Sequence, residues 1–256
     1  MVSKNKVKYI RSLEMKKFRK ADGVFVAEGH KLVGDLLGVF ECRYLAATQV
    51  WLEQHGEVMN SDRMRYTEVD EVTEEELKRL SFQDAPQQVL AVFQQPQWSV
   101  NISEVAGKGL CLALDDVQNP GNLGTIVRVA DWFGIEHVFC SQGCADIYNP
   151  KTVQATMGAM ARVQVHYVDL AEALNGLEEN VPVYGTFLDG NNMYEKDLSQ
   201  HGVIVMGNEG KGVSEAVEAC VGERLYIPNY PEGRDTSESL NVAVATAVVC
   251  AEFRRR

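Results

Sequence analysis

Residues 203–206 read VIVM, four apolar residues without a polar break, and a three-glycine loop and a helix-like pattern follow at once. A strand that is apolar on successive positions presents apolar side chains to both faces, so both faces have to be covered. The same kind of run recurs from residue 109 onward. GLCLALDDV, EHVFCS, VQVHYVD, VPVYGTFLDG, GVIVMG and RLYIP read as strands. Between them lie helical patterns: NLGTIVRVADWFG closing at Gly134, Lys151 to Ala161 entered through Pro150, Leu170 to Glu179, one from Val213, and a last one from about Ser239 to Arg256. Strands alternating with helices predict an α/β fold with a mostly parallel sheet and helices on both faces.

The first part of the chain forms a separate α/β series. Residues 4–20 read as one amphipathic helix, with Val7, Ile10, Leu13 and Phe18 on its apolar stripe. GVFVAEG, CRYLAAT, MRYTEVD and QQVLAVFQ read as strands, HKLVGDLLG as a helix, Thr48 as a cap for the next one, and Thr73 with Glu76 as a capping box. The stretch around QPQWSVNISEVAGKG breaks the pattern with Pro96 and two glycines. The expected organisation is a smaller N-terminal domain over 1–95, a linker over 96–108, and a C-terminal parallel-sheet domain over 109–256.

Of the 256 residues, 45% are hydrophobic and 24% charged, which is ordinary for a globular chain. No apolar run has the length of a bilayer-spanning helix, and the basic start lacks the apolar stretch of a signal peptide, so a cytoplasmic location is expected. The six cysteines contain no C-x-x-C pair and sit mostly in apolar runs. They read as buried free thiols; neither a disulfide framework nor a metal site is expected. The net charge is −11, yet Met1 to Lys31 carries nine Lys/Arg against three acidic residues. A basic patch on an acidic protein fits a local polyanion site, and a solvated basic helix fits the charge equally well.

The loop GNEGKG is G-x-x-G-x-G, the reverse of the dinucleotide fingerprint, and it is not a phosphate-cradling P-loop. That disfavours a nicotinamide-dependent oxidoreductase. A second stretch, LDDVQNPGNLGTIVRVADWFG, runs from a strand end through Asn-Pro-Gly into a helix. Asn122 is a plausible N-cap there. Arg128 lies on a largely apolar helix, where it either faces a cleft or reaches solvent along its own stem. A third, RLYIPNYPEGRDTSESLNVAVATAVV, ends a strand at Ile227-Pro228 and starts a small-residue helix near Ser239 and Asn241, positions where caps are common. Pro228 frees a backbone acceptor at that strand end.

Together these stretches resemble the three ordered motifs of the SpoU (TrmH-like) RNA ribose methyltransferases. Asn122-Leu-Gly124-Thr-Ile-Val-Arg128 is similar to the first, VIVMGNEGKGVS to the second, and IP with SLNVAVA to the third. The N-terminal SLEMKKFRKADGVFVAEGHKLVGDLL resembles that family's RNA-binding substrate domain, so nearly the whole chain is covered.

The resemblance implies a C-terminal domain with a deep trefoil knot, S-adenosylmethionine as cofactor, and a homodimer. It implies methyl transfer to a ribose 2′-hydroxyl of structured RNA, ribosomal or transfer; a non-catalytic RNA-binding protein of the same fold is the alternative. Carried over by position, Thr186, Phe187, Leu188, Met206, Gly207, Asn208, Glu209, Gly210, Ile227, Pro228 and Leu240 would hold the cofactor. Arg128 would be the catalytic arginine, gripping a phosphate and stabilising the developing alkoxide. Asn122, Ser239 and Asn241 would orient it and the ribose by hydrogen bonds, and Glu209 would either face the cofactor or anchor its own loop. Lys16, Lys17, Arg19 and Lys20, with Arg128, would contact RNA. The ten residues NYPEGRDTSE, 229–238, are longer than the family's usual link, which leaves the contacts of that loop open; for Arg234 a surface position is favoured over an RNA contact.

Overall fold

A computed structural model describes residues 2–231, 234 and 239–255. The chain divides into two compact units, Met1–Gln97 with Asp146–Ala161, and Trp98–Ala145 with Arg162–Arg256. The interval expected as a linker carries a short helix, and the later segment 146–161, expected to belong with the C-terminal sheet, joins the first unit.

In the first unit the elements are α1 (Lys4–Ser12), α2 (Lys16–Asp22), β1 (Val24–Glu28), α3 (His30–Leu37), β2 (Cys42–Ala47), α4 (Gln49–Gln54), α5 (Gly56–Met59), β3 (Glu68–Glu71), α6 (Glu74–Leu80) and β4 (Val89–Gln94). The sheet order is β1-β4-β2-β3, with only β2 and β3 parallel. Strand alternation splits its side chains between two cores. Phe25, Ala27, Ala91 and Phe93 pack with Val33, Leu36 and Trp51, while Val24, Val26, Leu90 and Val92 pack with Ile10, Leu13, Leu77 and Leu80. Thr48 caps α4, and Thr73 with Glu76 closes the capping box on α6, as expected.

The single helix expected over 4–20 is two helices, broken between Ser12 and Lys16. The cause is Arg19. Its guanidinium turns inward, donates from Nη1 to the carbonyls of Leu13 (2.8 Å) and Glu14 (2.6 Å), and pairs through Nη2 with Asp146 at 2.5 Å. Arg19 is 1% exposed and its neighbour Phe18 39%, the reverse of the expected stripe. Arg19 is therefore withdrawn from the set of RNA-contacting residues. Lys16, Lys17 and Lys20 are exposed.

The second unit contains α7 (Ile102–Ala106), β5 (Leu110–Leu114), α8 (Pro120–Trp132) and β6 (His137–Cys140). The chain then supplies α9 (Pro150–Thr156) to the first unit, where Val153 and Met160 join the core around Phe25 and Tyr148 packs its ring against that of Phe25, tilted by 32°. The helix expected over 151–161 stops at Met157, whose φ is +51°, and resumes as a 3-10 turn at Ala159–Ala161. Next come β7 (Gln164–Tyr167), α10 (Leu170–Asn175), β8 (Val183–Asn192), β9 (Gly202–Met206), α11 (Glu215–Glu218), β10 (Glu223–Tyr226) and α12 (Val242–Arg255). The last helix starts three residues later than expected, and Arg256 lies outside the described residues, as does much of the 229–238 loop.

These six strands form one parallel sheet in the order β10-β8-β9-β5-β6-β7. All five residues of β9 are buried, as its unbroken apolar run requires. Cys111, Ala113, Phe139, Val203 and Val205 face a core shared with α7, α10 and α11. Toward the other face Tyr184 meets Phe253 of α12 edge-on, and α12 packs on α8. Every cysteine is free and all but Cys220 are buried, as read from their apolar settings. On the outer strands His137 Nδ1 and His166 Nε2 lie 3.3 Å apart, and His166 stacks on Phe139. Burial, with His137 beside it, lowers the pKa of His166 to about 4.

Two outcomes follow for stability. Arg19→Met leaves Asp146 and two carbonyls without their donor, and is expected to cost about 3–5 kcal/mol, read by urea unfolding; a variant as stable as wild type would refute this role. The unfolded chain protonates His166 near its ordinary pKa of about 6.5 while the folded one resists to about 4. Stability should thus fall as pH drops through that window, and His166→Phe should flatten the slope.

Candidate active site

The loop after β9 is held by its own asparagine. Asn208 Oδ1 accepts from the backbone N–H groups of Gly210 (2.9 Å) and Lys211 (3.0 Å), and Asn208 and Gly212 exchange both backbone hydrogen bonds at 2.9 Å. This is an Asx-type turn closed into a tight bridge. A side chain at Gly207 would overlap the Gly212–Val213 backbone, so glycine is required at the pinch. From the end of β5, Asp116 fixes the loop with its carbonyl, which accepts from Asn208 Nδ2 at 2.8 Å. The buried Asp115 accepts from Ser214 N at 2.8 Å and so binds the residue preceding α11.

This geometry presents Glu209 at the tip, where it meets the other two motif stretches. Its Oε1 accepts from Asn122 Nδ2 (2.6 Å), Asn241 Nδ2 (2.7 Å) and the backbone N–H of Val242 (3.3 Å). Asn122 and Asn241 also bond each other at 3.2 Å. A carboxylate at the start of two helices of 13 and 14 residues has a favourable dipole interaction as well as charge-assisted bonds. Of the two readings of Glu209, the hydrogen bonds support loop anchoring.

The cap of α8 is Asn119, not Asn122. Asn119 Oδ1 accepts from the N–H groups of Gly121 (2.8 Å) and Asn122 (3.2 Å), with Pro120 in the first turn. An asparagine directly before a helix-starting proline is the signal that would have found it. Released from capping, the Asn122 side chain reaches Glu209. Asn241 does both: its Oδ1 accepts from Ala243 and Val244 N–H as the cap of α12, while its Nδ2 serves Glu209.

Arg128 is exposed and makes no hydrogen bond or ion pair among the described residues. Asn122 and Asn241 are engaged with Glu209 rather than with Arg128, and Ser239 is exposed and makes no hydrogen bond among the described residues. One helical turn beyond Arg128, on the same face, stands Trp132 at 84% exposure, a residue the sequence reading passed over.

The cofactor set gathers at neighbouring strand ends. Thr186 Oγ1 lies 3.7 Å from Met206 Sδ, which joins β8, at the point where its pairing with β9 stops, to the end of β9. Ile227 and Pro228 are half-buried beyond β10, and Leu240 is about half exposed next to the α12 cap. Phe187 packs its ring into the core, which leaves its backbone as the part that can meet a ligand. Leu188 is 71% exposed. Sequence reading missed Asp115 and Asp116 as supports, because their partners Ser214 and Asn208 lie 99 and 92 residues away in the chain.

Residues 109–251 match the model of the SpoU rRNA Methylase family. The chain belongs to that family. Residues 4–91 match the MRM3-like substrate binding domain. The chain is 32% identical to the 23S rRNA (guanosine(2553)-2′-O)-methyltransferase RlmP of Bacillus subtilis, over 97% of this chain and 96% of the relative. Its fold is similar to that of a putative RNA methyltransferase of the TrmH family from Porphyromonas gingivalis, at 43% identity and TM-score 0.88, covering 100% of this chain and 99% of the other. It is also similar to an AdoMet-bound rRNA methyltransferase from Sinorhizobium meliloti, at 29% identity and TM-score 0.85, covering 100% and 97%.

Glu209→Ala should unlatch the loop. Amide exchange at Gly210, Lys211 and Val242 is expected to accelerate, with the core of β9 unchanged; equal protection in both proteins would contradict the anchoring role.

Proposed function

We propose that the protein transfers a methyl group from S-adenosylmethionine to a ribose 2′-hydroxyl of ribosomal RNA. The observation that carries the reading is the meeting of the three motif stretches at Glu209 Oε1, which gathers Asn122, Asn241 and the glycine loop at adjoining strand ends. Ligands of open parallel sheets bind outside the carboxyl ends of the strands. Ribosomal RNA is preferred over transfer RNA because the Bacillus subtilis and Sinorhizobium meliloti relatives are named for it.

The residues present fit the cofactor. A loop where only glycine fits at its pinch gives close backbone approach. Half-buried Ile227 and half-exposed Leu240 offer apolar cover to a purine, and no phosphate-binding lysine is needed. Thr186 to Leu188, Met206 to Gly210, Ile227, Pro228 and Leu240 would hold it. When bound, S-adenosylmethionine supplies an electrophilic methyl group.

Arg128 is the residue assigned to chemistry. A guanidinium stays protonated, so it serves as an electrostatic group rather than as a base. Exposed and without a carboxylate partner among the described residues, it can clamp a phosphate beside the target ribose and stabilise negative charge developing on the 2′-oxygen. Asn122, Asn241 and Glu209 act by fixing the loop and the starts of α8 and α12. Ser239, exposed and without a hydrogen bond among the described residues, is left to meet substrate. In-line displacement at carbon depends heavily on placement of the acceptor oxygen, which rigid helix starts supply.

The proposal includes the finer expectations of the family: a deep trefoil knot in the C-terminal part, a homodimer, and RNA binding by the first unit through Lys16, Lys17 and Lys20. It assigns no metal to the reaction. A cytoplasmic location is part of the same reading, supported by the bacterial relatives named above; among the described residues no helix is long and apolar enough to cross a membrane.

Calorimetry with S-adenosylhomocysteine should show binding to wild type, and ribosomal RNA should gain ribose methylation. Arg128→Ala should keep that binding and lose methylation by about 100-fold or more. RNA binding by a wild type with no cofactor affinity would replace this reading with the non-catalytic one, and a fully active Arg128→Ala would remove Arg128 from the chemistry.

A further inference from the structure

The pairing of β8 with β10 contains a jump. Gly185 pairs with Arg224, and the next residue of β10, Leu225, pairs with Asn191. One step along β10 thus spans six along β8, and Thr186–Gly190 are thrown out of the ladder. Three of those five residues, Thr186 to Leu188, belong to the set proposed to hold the cofactor. An excursion of this length has no ladder of its own to keep its shape, so side chains must do so.

Glycines mark its start and its end. A Cβ at Gly185 would come within 2.6 Å of the Phe187 ring, and one at Gly190 within 2.6 Å of the Leu225 backbone. Between them, a single guanidinium makes three contacts. Arg224 lies over the Phe187 ring, its Cζ 3.7 Å from the centroid. Its Nη2 donates to the Asp189 carboxylate, and its Nη1 to Glu218 Oε1 on α11 at 2.5 Å. Thr186 is tied to Met206 on the other side, while Leu188 at the tip is untethered. Each ion pair alone is weak, because the Asp189 side chain is 77% exposed. The combination is specific to arginine: a planar cation can stack on a ring and fork to two carboxylates, which an ammonium cannot do.

We propose that Arg224 is a positioning residue for cofactor binding, shaping the Thr186–Gly190 excursion without touching the ligand. This rests on the functional reading above. It sets Arg224 apart from Arg128: the first governs affinity for S-adenosylmethionine, the second the rate of transfer. The stacked and forked contacts hold Phe187 and Asp189 on one side, so that the backbone of Thr186 to Leu188 stays at the strand end beside Met206.

The test uses the full chain with Arg224→Met, which keeps the stem and removes the planar charge, and Arg224→Lys, which keeps charge without the fork. The Kd for S-adenosylhomocysteine and the KM for S-adenosylmethionine should rise about tenfold in Arg224→Met. Arg224→Lys should recover only part of that loss. The KM for RNA, and kcat at saturating S-adenosylmethionine, should stay within about twofold of wild type. Equal cofactor affinity in wild type and Arg224→Met overturns the inference. So does a parallel rise in both KM values, the mark of general destabilisation. Should Arg224→Met fail to fold, Asp189→Asn supplies the same split on a smaller scale. A wild type that binds no S-adenosylhomocysteine overturns the functional reading itself, and the inference with it.

Discussion

One carboxylate oxygen joins three parts of the chain that are far apart in sequence. Glu209 Oε1 accepts from a side chain 87 residues earlier, from another 32 residues later, and from the backbone N–H at the start of the last helix. The negative end of this hub sits where two helices present their positive ends. The loop that carries it is pre-shaped by Asn208, and Asn208 is fixed in turn by Asp116 at the end of β5. Remove the carboxylate and the glycine loop, the start of α8 and the start of α12 lose their common partner. The site's shape is thus a consequence of charge-assisted hydrogen bonding among strand and helix ends, with the parallel sheet as its base.

Three arginines show how surroundings, rather than residue type, divide the work. Arg19 is enclosed, bonded to two carbonyls and to Asp146, and serves to turn the chain between α1 and α2. Arg224, with its side chain about one-third exposed, is shared between a ring and two carboxylates. Arg128 has no such partner among the described residues and is exposed one turn before Trp132. A guanidinium already satisfied by carboxylates has little left for a phosphate, whereas a free one retains all five donors. This contrast, beside the motif spacing, is what supports the proposed role of Arg128 toward a polyanion.

Much of the local structure was legible. The capping box at Thr73 and Glu76, the cap at Thr48 and the buried run of β9 depend on residues within a turn or two of each other. The cap of α8 was misread by three residues although Asn119-Pro120 carried the signal. The break between α1 and α2 had no local signal, because the Arg19 that bridges it pairs with Asp146, 127 residues away. The same holds for β8. Its sequence reads as one strand, and the five-residue excursion becomes visible only against the register of β10.

The amino-acid sequence by itself determined the class of fold, the order of strands and helices along the chain, and the three stretches that mark the SpoU family, because hydrophobic period, strand length and turn residues act over short range. The tertiary structure alone decided what Glu209, Arg19 and Arg224 do, and that residues 146–161 are built into the first unit. Those outcomes rest on pairing of charged and hydrogen-bonding groups. A carboxylate or guanidinium is defined by whichever partners folding brings within about 3 Å of it, and nothing in its sequence neighbourhood names them.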